Sequence, residues 1–197
     1  MDGIQSMNPS VLIIGNFLSE SLGGRSVCED LAVDLTARGW QITTASKRVP
    51  RVLRLMDMLG ATFLHRRQYN VALLDVYSGP AFFWAEAVAA ELQFLRCPTV
   101  LVLRGGNLPS FSAHHQRRAP MLMKRAAAVV APSPYLREQM RAFRSDIRLI
   151  PNGLWLERYP FRHRTQVRPR LVWLRALHSI YNPLMAVETV QYLIAKY

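Results

Sequence analysis

Lysine is nearly missing from this chain: Lys47, Lys124 and Lys196 stand against 22 arginines. Acidic residues are also scarce, 13 against 25 cations, which leaves a formal charge of +12 on 197 residues. A field this positive favours phosphates, anionic lipid surfaces or nucleic acid, and charge alone does not choose among them. Cysteine is scarcer still. Cys28 and Cys97 are the only two, and neither has a CxxC or metal-type neighbour. That excludes a disulfide framework and reads as two free, buried thiols in a reducing compartment. Nor is there an uncharged apolar run near the ~18–20 residues that span a bilayer. The most apolar stretch, residues 81–95, is interrupted by Glu86 and Glu91. The N-terminal MDGIQSMNPS has an acid and no apolar core, so it is not expected to be a signal peptide, and the protein is expected in the cytoplasm. HExxH, a His/Cys/Asp cluster at ligand spacing and GxSxG are all lacking, so metal-dependent and serine-hydrolase chemistry find no support. The cations are scattered rather than interleaved with aromatics, and no nucleic-acid motif occurs, so nucleic acid is not an expected partner.

What the chain does have is alternation. Half of its residues are hydrophobic, enough for a packed core. Short apolar runs at 11–14, 42–45, 71–74, 99–103, 128–131 and 147–150 each end in a turn signal and precede a helical pattern. Runs apolar on both sides are what a parallel sheet covered on both faces requires. The helices between them carry start signals. Ser26 and Glu29 form a capping box, after which Val27, Leu31 and Leu35 make a stripe that ends at Gly39. Ser133-Pro134 and Asn182-Pro183 open two further helices, with Leu136, Met140 and Phe143 inward in the first and Leu184, Val187 and Ile194 on one side of the second. The expected fold is α/β, a Rossmann-like doubly wound parallel sheet. Pro160 and Pro169 mark a boundary near 154–169, followed by one more expected strand at 171–174. The expected organisation is a tail (1–10), a first lobe (11–168) and the first βα unit of a second (169–197).

In open α/β sheets, ligands bind beyond the carboxyl ends of the strands, so the loops there are the candidate sites. The first, residues 15–26, holds Gly23 and Gly24 ahead of a capped helix, where backbone N–H groups can approach an anion. It is neither GxGxxG nor a P-loop, and two glycines serving a turn fit it as well. The loop after the fourth strand, Arg104, Gly105, Gly106 and Asn107, suits a phosphate or a sugar hydroxyl, or is a glycine-rich turn with a solvated Arg. His114 and His115 read as solvent-exposed loop histidines. Val52, Leu55, Leu59 and Phe63 form a helical stripe among Lys47, Arg48, Arg51, Arg54, Arg66 and Arg67. Such a helix either lies peripherally on an anionic membrane surface or packs in the core with a solvated basic face.

In order along the chain, four pieces resemble the family-4 retaining glycosyltransferases: the Gly23-Gly24 loop, Ala131-Pro132-Ser133-Pro134-Tyr135-Leu136, Ile150-Pro151-Asn152-Gly153, and the segment Leu171 to His178. The resemblance implies a GT-B fold, two Rossmann-like lobes facing across a cleft. It also implies transfer of a sugar from a nucleotide-sugar co-substrate to a glycan or lipid-linked acceptor with retention, without a cofactor or bound metal. Gly23, Gly24 and Arg175 would then meet the donor phosphates. Arg104, Gly105, Gly106, Asn107, Ser133 and Asn152 would contact acceptor or donor, and no catalytic residue is assigned. Two departures stand out. The family's Lys after that Arg falls near Ile180-Tyr181, and Arg104 occupies the place where many members have His. The E-x7-E region of the second lobe would lie past residue 197, so the chain is expected to be a fragment that transfers no sugar alone. The alternative reading is a non-catalytic Rossmann-like binding module, or the remnant of a decayed gene.

Overall fold

The structure is a computed structural model that describes residues 9–22, 24–163, 165–166, 170–174, 177 and 179–196. Contacts divide the chain into two units, Met1–Leu154 and Trp155–Tyr197. The first holds strands β1 (Ser10–Ile14), β2 (Gln41–Ala45), β3 (Val71–Val76), β4 (Thr99–Leu103), β5 (Ala128–Ala131) and β6 (Arg148–Leu149). Its helices are α1 (Ser19–Leu22), α2 (Val27–Ala37), α3 (Arg51–Leu64), α4 (Pro80–Phe94), α5 (Leu108–His114), α6 (Arg118–Lys124) and α7 (Pro134–Met140). The second unit, among its described residues, has two 3-10 turns and α8 (Pro183–Lys196).

The strands form one six-stranded sheet in the order β2-β1-β3-β4-β5-β6, and every neighbouring pair is parallel. This is the doubly wound α/β architecture that the alternating runs point to. Successive strands step one way from β1 to β2 and the other way from β3 to β6. The switch point therefore lies between β1 and β3, where such sheets place their ligands. β1 is buried along its whole length and splits its side chains between two cores. Leu12 and Ile14 join Met58, Phe82, Leu101 and Leu122, whereas Val11 and Ile13 join Phe17, Cys28 and Ala32. Because successive strand residues point to opposite faces, this division covers the sheet on both sides.

Two helices are rotated relative to the faces expected from periodicity, each for a polar reason. In α2 the buried residues are Cys28, Glu29 and Ala32, while Val27 is exposed. The capping box forms as expected, but Glu29 also reaches the loop before it, accepting from Ser19 N at 3.0 Å and Ser26 N at 2.7 Å. That tether turns the Cys28–Ala32 side of the helix inward. In α3 the buried set is Arg54, Met58 and Thr62, not Val52, Leu55, Leu59 and Phe63. Arg54 is held inward by donating from Nε to Arg48 O at 2.8 Å and from Nη1 to Asn16 Oδ1 at 3.1 Å. Tyr69 donates its hydroxyl to Thr62 O at 2.8 Å and fixes the far end.

Other differences are smaller. The strand expected at 147–150 contracts to Arg148–Leu149. Residues 171–174, expected as a strand, join no ladder. A strand persists only where a neighbour completes its hydrogen bonds, and the described residues of the second unit contain no other strand. No side chain of α8 is buried. His114 lies in α5 rather than in a loop, and the His115 ring stacks on Phe111 at 4.1 Å.

The Glu29 tether carries a pH dependence. Burial acts to raise its carboxyl, but the hydrogen bonds from Ser19 and Ser26 outweigh this and hold it below its ordinary value of 4.5. A group depressed in the folded state stabilises above its ordinary value and loses that contribution as pH falls through the folded one. Glu29→Gln is expected to cost about 1 kcal/mol at pH 7, on the scale of an N-terminal helix cap. The deficit should fade at a pH below that depressed folded value, where wild type also loses the charge. Urea unfolding at both pH values measures it, and a deficit that grows in acid would refute the assignment.

Candidate functional site

The carboxyl end of β1 approaches β3 and α2 so closely that residue 15 must be glycine. A Cβ there would stand 2.8 Å from Cys28 Sγ and 3.0 Å from Asp75 Oδ2. Gly15 continues the ladder through its backbone, donating to Ala45 O at 2.7 Å and accepting from Ser46 N at 3.2 Å. Beside it, Asn16 fastens the start of the following loop. Its carbonyl accepts from Ser26 Oγ at 2.6 Å, and its side-chain Oδ1 accepts from Arg54.

Asp75 and Arg104 stand at the ends of the adjacent strands β3 and β4. Arg104 Nε donates to Asp75 Oδ1 at 3.0 Å, with side chains only 9% and 5% exposed. Its Nη1 donates to Asn152 Oδ1 at 2.7 Å, joining residues 48 apart in sequence. Three strand ends are thereby clamped by one guanidinium, whose fork can serve two acceptors at once. Burial pushes the Asp75 carboxyl up, and the Arg104 charge opposes that shift. Burial, followed by the Asp75 charge, pushes the Cys28 thiol up to about 11, so at neutral pH it is a protonated packing group rather than a nucleophile. Tyr77 is likewise raised by burial. Asp75 Oδ2 closes no hydrogen bond of ordinary geometry. It borders a cavity of about 20 Å³ lined by Gly15, Asn16, Tyr77, Met58 and Trp84. That is room for one water and no more.

A ligand must therefore use the open rim of these loops. Gly24, Gly105, Gly106 and Asn107 are all exposed there. Gly105 has φ +82°, a backbone that only glycine adopts freely, so its identity is explained by the turn. Gly24 and Gly106 differ: neither has a φ in the left-handed region, and nothing lies within 4 Å of the Cβ each would carry. Nothing within the described chain requires glycine at either place. Of the other residues read from the sequence, Ser133 is the N-cap of α7, accepting from Leu136 N at 3.2 Å. Gly23 and Arg175 lie outside the described residues. The structure thus unites Arg104 with Asn152 and adds Asp75, Asn16 and Tyr77, to which the sequence assigned no site role, and Arg54, which it placed only among the cations around the helical stripe. The one advance sign was an acid closing an apolar run at 71–75. Among the described residues, no three His, Cys, Asp or Glu side chains gather to hold a metal ion, and no helix is long and apolar enough to cross a membrane.

A family model, Glycosyltransferase Family 4, matches residues 61–158. That segment begins inside α3 and contains Asp75, Arg104, Ser133 and Asn152, while the Gly24 loop precedes it. No curated protein matches the chain. Through a segment that holds the buried clamp and most of the sheet, the chain belongs to Glycosyltransferase Family 4.

Proposed function

We propose that the chain acts in sugar transfer from a nucleotide sugar to a glycan or lipid-linked acceptor, with the anomeric configuration retained, as one Rossmann-like lobe of a GT-B enzyme. In that reaction the bond from the anomeric carbon to the departing diphosphate breaks, and an acceptor hydroxyl oxygen bonds to the same carbon, losing its proton. The observation that carries the reading is the clamp Asp75–Arg104–Asn152 at the sheet's carboxyl edge, in a chain of this family. With Nε and Nη1 engaged, Arg104 is a positioning residue. It holds the loop after β6 and the glycine turn after β4 against each other, and leaves the rim to meet the substrate. Nothing lies within 4 Å of the Cβ that Gly24 or Gly106 would carry, so a ligand can approach the backbone there, and backbone N–H groups suit the oxygens of a diphosphate. The resemblance adds Gly23 and Arg175 as further diphosphate contacts. No tightly bound cofactor is part of this reading, the nucleotide sugar being consumed as a substrate, and the reaction belongs to glycan biosynthesis on the cytoplasmic side.

Titration of the 15N-labelled chain with UDP- and GDP-sugars tests this. The amides of Gly24, Gly105 and Gly106 are expected to shift in a saturable way. Gly24→Val, which points a branched side chain into the space of the ligand, should weaken binding roughly ten-fold or more, about the effect of one lost charge-assisted contact. Millimolar donor that leaves these amides unmoved, or that moves only amides elsewhere, would overturn the assignment.

A further inference from the structure

The rotation of α3 forced by Arg54 has a second effect: it turns apolar side chains out to solvent. Val52, Leu53, Met56, Phe63 and Leu64 are 47–74% exposed. At 100° per residue they fall, with Gly60 among them, in one stripe of about 120° running about 18 Å along the helix. The opposite side packs Met58 into the core, and Leu59, next to Val52 around the helix, packs against that core from the stripe's edge. A surface helix normally presents a polar outer face, and a continuous apolar stripe of this kind marks a docking surface.

The charges around the stripe identify what docks. Arg48 and Arg51 stand at its start, Arg66 and Arg67 just past its end, and all four are exposed. Among the described residues none of the four has a carboxylate partner; the nearby Lys47 pairs instead with Glu20 at 3.4 Å. The single acid of the helix, Asp57, is half-buried at the margin of the stripe. Arg66 packs its guanidinium 4.3 Å above the Phe63 ring and donates to Phe63 O, so charge and apolar surface are presented side by side. Cations at both ends of an apolar stripe, with no hydrogen-bonding side chain within it, match an extended negative plane rather than a point-charged partner.

We propose that α3 docks the protein on an anionic lipid surface, its axis parallel to the interface. The stripe sits at the boundary of headgroups and acyl chains, and Arg48, Arg51, Arg66 and Arg67 lie among the phosphates. This attachment requires no sugar donor, so it stands or falls separately from sugar transfer. The experiment is co-sedimentation of the whole chain with phosphatidylcholine vesicles, with and without about 30% phosphatidylglycerol, near 0.1 M salt. Binding is expected to the anionic vesicles and to be at least ten-fold weaker without them. Met56→Ser with Phe63→Ser, both at exposed positions, should abolish binding while thermal unfolding stays as in wild type. Arg66→Gln with Arg67→Gln should weaken it about ten-fold or more, since each cation near such a surface contributes comparably. The proposal is overturned by absent sedimentation, by equal binding to neutral vesicles, or by a serine variant that binds like wild type. It is equally overturned if gel filtration shows a dimer that the serine variant splits, because the stripe would then join two copies of this chain.

Discussion

Arg104→Met is expected to destabilise the first unit by about 3–5 kcal/mol, the range for removing one member of a buried ion pair. The cost arises less from the lost attraction than from Asp75, left buried without its cation. Two further measurements separate this cause from simple loss of packing. First, the deficit should depend on pH. Burial already raises Asp75, and the Arg104 charge is the largest of the influences that oppose it, so in the variant the carboxyl rises further. A group raised in the folded state favours folding below its ordinary value and disfavours it as pH increases. The variant should therefore lag wild type most at pH 7 and recover toward pH 4. Second, adding Asp75→Leu should restore much of the stability, because an apolar pair of similar volume often serves a buried site as well as the ion pair. It should not restore the position of Asn152, which loses its 2.7 Å donor in either variant. A deficit that is flat with pH and not relieved by Asp75→Leu would refute the account.

Gly15→Ala should be nearly as damaging for a steric reason. The new methyl would press on Cys28 Sγ at 2.8 Å and Asp75 Oδ2 at 3.0 Å, both on elements fixed by the core. Forcing one extra carbon into such packing costs about 1–3 kcal/mol. Here the upper half of that range is expected, since neither neighbour is the free end of a long side chain. Cys28→Ala removes the closer atom. Combined with Gly15→Ala it should recover part of the loss, read as a negative coupling in a double-mutant cycle of denaturant midpoints. Strict additivity of the two substitutions would show that they do not meet.

Much of the fold was readable because buried parallel strands are continuous apolar runs, and β1, β3, β4 and β5 are runs of that kind. The same criterion misread residues 171–174, equally apolar but in no sheet, because pairing depends on a neighbour and not on the run itself. Helix faces failed for a different reason. Periodicity ranks side chains by polarity, whereas α2 and α3 are oriented by Glu29 and Arg54, each carried inward by backbone and amide partners that no spacing reveals. At the site, Arg104 and Asn152 were visible as residues of strand-end loops. Their union was not, and Asp75 drew no role, since the meeting of 75 with 104 follows from the adjacency of β3 and β4. Gly15 shows the converse: a glycine that looks like a turn residue is required by a thiol thirteen positions later.

The order in which these pieces come together has its own consequence. No strand of a parallel sheet pairs with its neighbour until the chain between them has crossed over, so folding here relies on contacts distant in sequence and is expected to be slow. β6 is both the last strand of the sheet and the shortest, two residues at its edge. Asn152, three positions beyond it, can reach Arg104 only when that edge has closed. The clamp therefore doubles as a completion signal. Intermediates lacking β6 would have a nearly whole core but an unformed rim, and during refolding the amides around Asn152 should be among the last to gain protection from exchange.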